Sequence, residues 1–260
     1  MKKARARDHA ETWQHPLSSR YASREMLHLF SDAHRLRTWR GIWVALAESE
    51  RALGLPVTAR QVAELERNQD RVDPARTREL EEKFKHDVFA EIHAYGEQCP
   101  SARGIIHWGA TSATVLDNAD GLIQREALLL LRGKLLATMR HLAAFARRHR
   151  DTTVVGYTHF QAAQFTTLGK RACLWLQDLE EDLSHLDFLL AAWRLRGLKG
   201  ATGTQASFLA LLRTPARVAR LEKLFLKKLG GFPAWPVTGQ TAPRKAESYL
   251  LAVLSGLAQS

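Results

Sequence analysis

Apolar positions along the chain fall at helical spacing almost throughout. From Asp32 to Leu53, Leu36, Trp39, Trp43, Leu46 and Leu53 line one face. Ser31 can cap that helix at its start and Gly54 at its end. Pro56 and Thr58 open a short helix holding Val62 and Leu65. Asp73-Pro74 opens another, with Leu80, Phe84 and Val88 four residues apart, and Gly96 and Pro100 close that region. Two long helices follow, one from about Ser112 to Arg150 and one from about Ala162 to Arg196. At 1.5 Å per residue each reaches roughly 50 Å, a length that suits an elongated bundle, often shared between subunits. Leu128 to Leu136 are too leucine-rich for a single stripe, so burial on more than one side is expected.

No alternating run is long enough to support a sheet. Short extended pieces are expected near Thr152 to Val155 and Trp235 to Val237. No 20- to 50-residue repeat appears. From Pro243 a fresh amphipathic pattern begins with Leu250, Leu251, Leu254 and Leu257. A helix of that kind needs a partner for its apolar face, so the bundle is expected to be incomplete at Ser260. The expected fold class is all-α, with an N-terminal helical domain over 1–111 and the first part of a long-helix bundle over 112–260.

Composition narrows the function classes. With 260 residues and 45% hydrophobic content the chain is globular rather than disordered. No apolar run approaches the roughly 20 residues of a membrane helix. Lys2, Lys3, Arg5 and Arg7 are not followed by an apolar stretch, so the tail reads as a solvated arm and not a secretory signal. Cys99 and Cys173 form no CxxC pair and lie near no histidines at zinc spacing. That pattern points to a reduced, cytoplasmic protein. The net charge of +11 calls for an anionic partner or a solvated surface. Basic residues are spread over the helices among glutamates, without a nucleic-acid motif, so no nucleic-acid partner is expected. A small polyanionic substrate needs only a local cluster.

Several segments can carry chemistry. Gly156-Tyr157-Thr158-His159-Phe160-Gln161 sets a histidine between hydrogen-bonding neighbours, just before the expected second long helix. Imidazole titrates near neutral pH, so His159 is a candidate proton donor. Gly109-Ala110-Thr111-Ser112 precedes the first long helix, where unpaired backbone N–H groups favour anions. The same residues also suit an ordinary N-cap. Lys85-His86-Asp87 lies within or at the end of a helix, and as adjacent helical residues His86 and Asp87 need not touch. Gly197 to Gln205 is glycine-rich, yet no Lys follows its last glycine and no strand precedes it. It is neither a P-loop nor a dinucleotide fingerprint. Arg20 beside Tyr21 supplies a phosphate or carboxylate clamp, and Thr238-Gly239-Gln240-Thr241 supplies amide and hydroxyl groups before Arg244. The histidines form no metal-binding spacing, so no metal and no cofactor are expected.

Taken together, these segments resemble the adenylosuccinate lyase family of the fumarase/aspartase superfamily, from Pro16 to Lys245. The anchors are Ser19-Arg20-Tyr21-Ala22-Ser23, His86-Asp87-Val88, Gly109-Ala110-Thr111-Ser112, Thr158-His159-Phe160-Gln161, Lys199 to Gln205, and Thr238-Gly239-Gln240-Thr241. The resemblance implies the superfamily's long-helix bundle, a purine nucleotide substrate and a homotetramer. It implies β-elimination of fumarate from adenylosuccinate, giving AMP, and from the succinylated aminoimidazole carboxamide ribotide. By the same resemblance His159 is the acid and His86 positions it and contacts substrate. Arg20 and Tyr21 hold the phosphate end, Thr111 and Ser112 meet the succinyl carboxylates, and Lys85, Asp87 and Gln240 line the site.

The sequence departs from the family in places. Ala162 stands where proline usually follows His-Phe-Gln, a small loss if that position is a first helical turn. Lys85 replaces an arginine, and Ala242-Pro243 replaces a tyrosine–serine pair. The family's serine-rich loop, which supplies the base, falls beyond the matched segments, so this chain alone is expected to lack turnover. Two other readings remain open at this point: another superfamily lyase, such as one acting on argininosuccinate, and a non-catalytic helical interaction module.

Overall fold

The computed structural model describes residues 15–260. The basic tail read as a solvated arm lies outside the described residues. A π turn at Leu17–Tyr21 leads into α1 (Arg24–Leu29), and Ser31 caps α2 (Asp32–Ala52), its hydroxyl accepting the His34 N–H at 3.2 Å. Thr58 and Gln61 form a reciprocal capping box at the start of α3 (Ala59–Asn68). Asp73 caps α4 (Pro74–Phe84), which carries proline at its first turn as the sequence predicts.

The helix expected to run through Val88 is broken in two. Lys85 turns into the left-handed region (φ 56°), and α5 (Asp87–Gln98) restarts with His86 as its cap. α6 (Ser112–Arg148) has 37 residues and spans about 55 Å at the standard rise.

The expectation of no sheet fails after α6. β1 (Thr153–Thr158) and β2 (Gln161–Thr167) form an antiparallel hairpin, with Val155 opposite Phe165 and Tyr157 opposite Ala162. The second long helix, α7 (Leu168–Ala191), therefore starts at Leu168 and ends before Arg196. Ala162 lies in a strand, so the helix-first-turn argument for its missing proline does not apply. The expected extended piece near Trp235 is a single bridge, Leu195 to Ala234. The all-α class stands, with this hairpin as its one small sheet among the described residues.

The hairpin returns the chain antiparallel along α6. Arg132 Nε reaches Asp187 at 2.5 Å, and Trp193 Nε1 donates to the Gly121 carbonyl at 3.1 Å. After a glycine-rich turn come α8 (Ala206–Leu212), α9 (Pro215–Lys228) and α10 (Lys245–Gln259). One hydrophobic cluster joins Leu36, Trp39 and Trp43 of α2 to Tyr95, Val115, Phe208, Phe225 and Val253. Beside it, Arg40 and Glu91 are both fully buried and paired at 2.7 Å, tying α2 to α5.

Candidate active site

At the N-terminal end of α6 three segments meet. His86, held at the break between α4 and α5, accepts the Phe89 N–H on Nδ1 at 3.2 Å. A neutral ring that accepts on Nδ1 carries its proton on Nε2, and that nitrogen lies 3.2 Å from Ser112 Oγ. Asp87 Oδ1 takes the Val88 N–H at 2.7 Å and approaches His86 Nδ1 at 3.5 Å, too far for a hydrogen bond. The Thr111 N–H donates to Thr114 Oγ1 at 3.3 Å, which shapes the first turn of α6. The structure thus brings His86 and Asp87 beside Thr111 and Ser112. Lys85 stays exposed beside them.

The glycine-rich loop closes on the same end. Gln240 Oε1 accepts the Thr202 N–H at 2.6 Å, which leaves the exposed side-chain amide NH2 of Gln240 as a donor. Gly203 (φ 79°) packs so tightly on this loop that a Cβ there would overlap the Thr238 carbonyl. Ser207 Oγ donates to the Gly109 carbonyl at 2.7 Å.

Two residues that sequence reasoning missed organise these loops. Arg196, fully buried, donates to the carbonyls of Gly200 (2.8 Å) and Gln240 (3.2 Å) and to Thr114 Oγ1 (3.3 Å). Burial lowers its pKa, opposed by Asp117 and Glu222. Asn118 pairs with both the N–H and the carbonyl of Gly197, at 2.9 and 3.2 Å. The only signal for Arg196 in the sequence is a charge between Leu195 and Leu198.

His159 is not part of this group. It sits with Phe160 at the hairpin tip, both in the left-handed region (φ 49° and 61°), the backbone of a tight two-residue turn. It is not at a helix entrance. The tip follows the end of α6 opposite Ser112. Phe160 is fully exposed, and Tyr157 and Phe165 are exposed on the same hairpin. Arg20 and Tyr21 lie in the π turn before α1, exposed and without a hydrogen bond to either histidine.

A cavity of about 1000 Å³ runs between α6, α7 and α10 and includes neither His86 nor His159. Among the described residues no three metal-ligating side chains cluster, and no helix is long and apolar enough to cross a membrane.

Residues 52–260, which hold the long bundle helices and the group at the start of α6, match the lyase family. The chain belongs to that family. It is 46% identical to the adenylosuccinate lyase of Saccharomyces cerevisiae over 94% of its own length and 51% of that protein's. With the Schizosaccharomyces pombe adenylosuccinate lyase it shares 44% identity over 92% of its length and 51% of the relative. The chain spans about half the length of these relatives. A fumarate lyase from Mesorhizobium sp. BNC1 superposes with a TM-score of 0.79 at 26% identity, over 92% of this chain and 55% of that one. The 3-carboxy-cis,cis-muconate lactonizing enzyme of Pseudomonas putida shares the fold (TM-score 0.80, 24% identity, 93% of this chain, 55% of that one).

Proposed function

We propose that this chain supplies the proton donor and much of the substrate-binding surface of an adenylosuccinate lyase. The observation that carries the reading is His86 Nε2 against Ser112 Oγ at the start of α6. There a helix N-terminus, a hydroxyl and an imidazole converge on one spot suited to a carboxylate. The identity to adenylosuccinate lyases supports the choice of substrate.

In the elimination a base takes the proton from the carbon beside a succinyl carboxylate. The electron pair forms the C=C bond of fumarate, the C–N bond breaks, and His159 gives its proton to the leaving nitrogen. Thr111 and Ser112 hold carboxylate oxygens, Arg20 and Tyr21 the phosphate, and Lys85, Asp87 and the Gln240 amide flank the nucleotide. The succinylated aminoimidazole carboxamide ribotide presents the same groups, which places the enzyme in purine biosynthesis. None of these roles calls for a metal or cofactor.

Within one copy His86 meets the start of α6 and the His159 hairpin follows its other end. A homo-oligomer, a tetramer by resemblance, brings the two together by presenting the hairpin of one copy to the α6 N-terminus of another. Two adjacent left-handed residues and an exposed aromatic at the tip fit a turn shaped for that contact.

Calorimetric titration tests the substrate assignment. Adenylosuccinate and AMP are expected to bind, and argininosuccinate is not. Ser112→Ala should weaken adenylosuccinate about 10- to 100-fold, the worth of one hydrogen bond to a charged group. Binding of argininosuccinate without AMP indicates a different lyase. An oligomer that binds none of the three overturns the catalytic reading.

A further inference from the structure

His107 lies between α5 and α6, four residues before Thr111, and the function above gives it no role. The indole N–H of the fully buried Trp43 donates to its Nδ1 at 2.9 Å, the rings edge-on with centroids 6.1 Å apart. An indole nitrogen can only donate. Nδ1 must therefore present its lone pair, and the neutral ring must carry its proton on Nε2. An imidazolium would set two N–H groups against each other. Trp43 cannot turn away, because it packs on Tyr95, whose hydroxyl is anchored to the Leu65 carbonyl at 2.6 Å and whose ring lies under Arg40. Arg40 in turn is held by Glu91. His107 Nε2 makes no hydrogen bond among the described residues, and the residue is only partly buried.

We infer that Trp43 is a positioning residue that locks His107 as the neutral Nε2–H tautomer, a fixed donor on the segment that leads into α6. Burial depresses the pKa of His107 to about 4, and the charge of His86 works in the same direction. The ring therefore keeps one proton, on one nitrogen, where a free histidine would exchange both. The lock follows from the contacts alone.

The test is long-range 15N–1H correlation spectroscopy on histidine-labelled protein without ligand, His107 being assigned by loss of its signal in His107→Asn. One neutral tautomer with the proton on Nε2, held down to about pH 4, is expected. Trp43→Phe keeps an aromatic ring and removes the donor. It should give a mixture of tautomers, while the burial that depresses the pKa is kept. A wild-type ring that is mixed or protonated on Nδ1 overturns the inference, and this arm decides even if Trp43→Phe fails to fold. So does a folded Trp43→Phe protein with an unchanged spectrum. With no ligand added, the outcome is independent of whether adenylosuccinate binds.

Discussion

Glu50 is fully buried on α2, and neither carboxyl oxygen has a hydrogen-bond partner. Burial pushes its pKa from 4.5 to about 9, so the folded chain keeps a proton that the unfolded chain releases. Its contribution to stability is therefore complete below about pH 4.5 and declines as pH rises toward about 9. The loss is on the order of a few kcal/mol. Thermal melts of Glu50→Gln across that range should be flatter than those of the wild type, and parallel profiles would contradict the assignment. The Arg40–Glu91 pair gives a second test at this scale. Arg40→Met leaves Glu91 buried and unpaired, at a cost of about 3–5 kcal/mol measurable by denaturant titration. Adding Glu91→Leu should recover much of it. His86, Thr111 and Ser112 were legible through the family resemblance, since the local pattern suits an ordinary N-cap for Thr111 and Ser112 and a helix interior or end for His86. Arg196, Asn118 and the Trp43–His107 contact were not visible. Each depends on partners far apart along the chain, from 64 residues for Trp43 and His107 to 82 for Arg196 and Thr114.

Helix boundaries marked by local capping chemistry were legible: Ser31, Thr58 and Asp73 all cap where the sequence places them. Boundaries set by backbone strain were not. Lys85 breaks a regular apolar spacing without glycine or proline, and left-handed lysine has no sequence signal of its own. The hairpin was hidden for a related reason. Its turn uses His159 and Phe160 where glycine or asparagine usually marks such a turn. The Ala-Ala-Gln stretch of β2 also favours helix, and its exposed side chains show no one-sided alternation. If Phe160 is a contact made only between copies, Phe160→Ser should leave the melting temperature of the protomer within a degree or two. It should weaken self-association at least tenfold in sedimentation velocity. A drop in protomer stability with unchanged association would place Phe160 in the fold instead.

Over the whole molecule, α6 decides how the parts can work together. It gathers His86, Ser112, the glycine-rich loop and Gln240 at one end and carries the His159 hairpin at the other. Paramagnetic relaxation between copies tests most directly whether the two ends meet across copies. A nitroxide is attached at Ala163→Cys, an exposed position on β2, with the exposed Cys173 replaced by serine, and this protein is mixed with nitroxide-free protein carrying 15N-histidine. Broadening of the His86 signal in the mixed sample is the predicted result. A His86 signal left sharp in the mixture would contradict a site completed across copies.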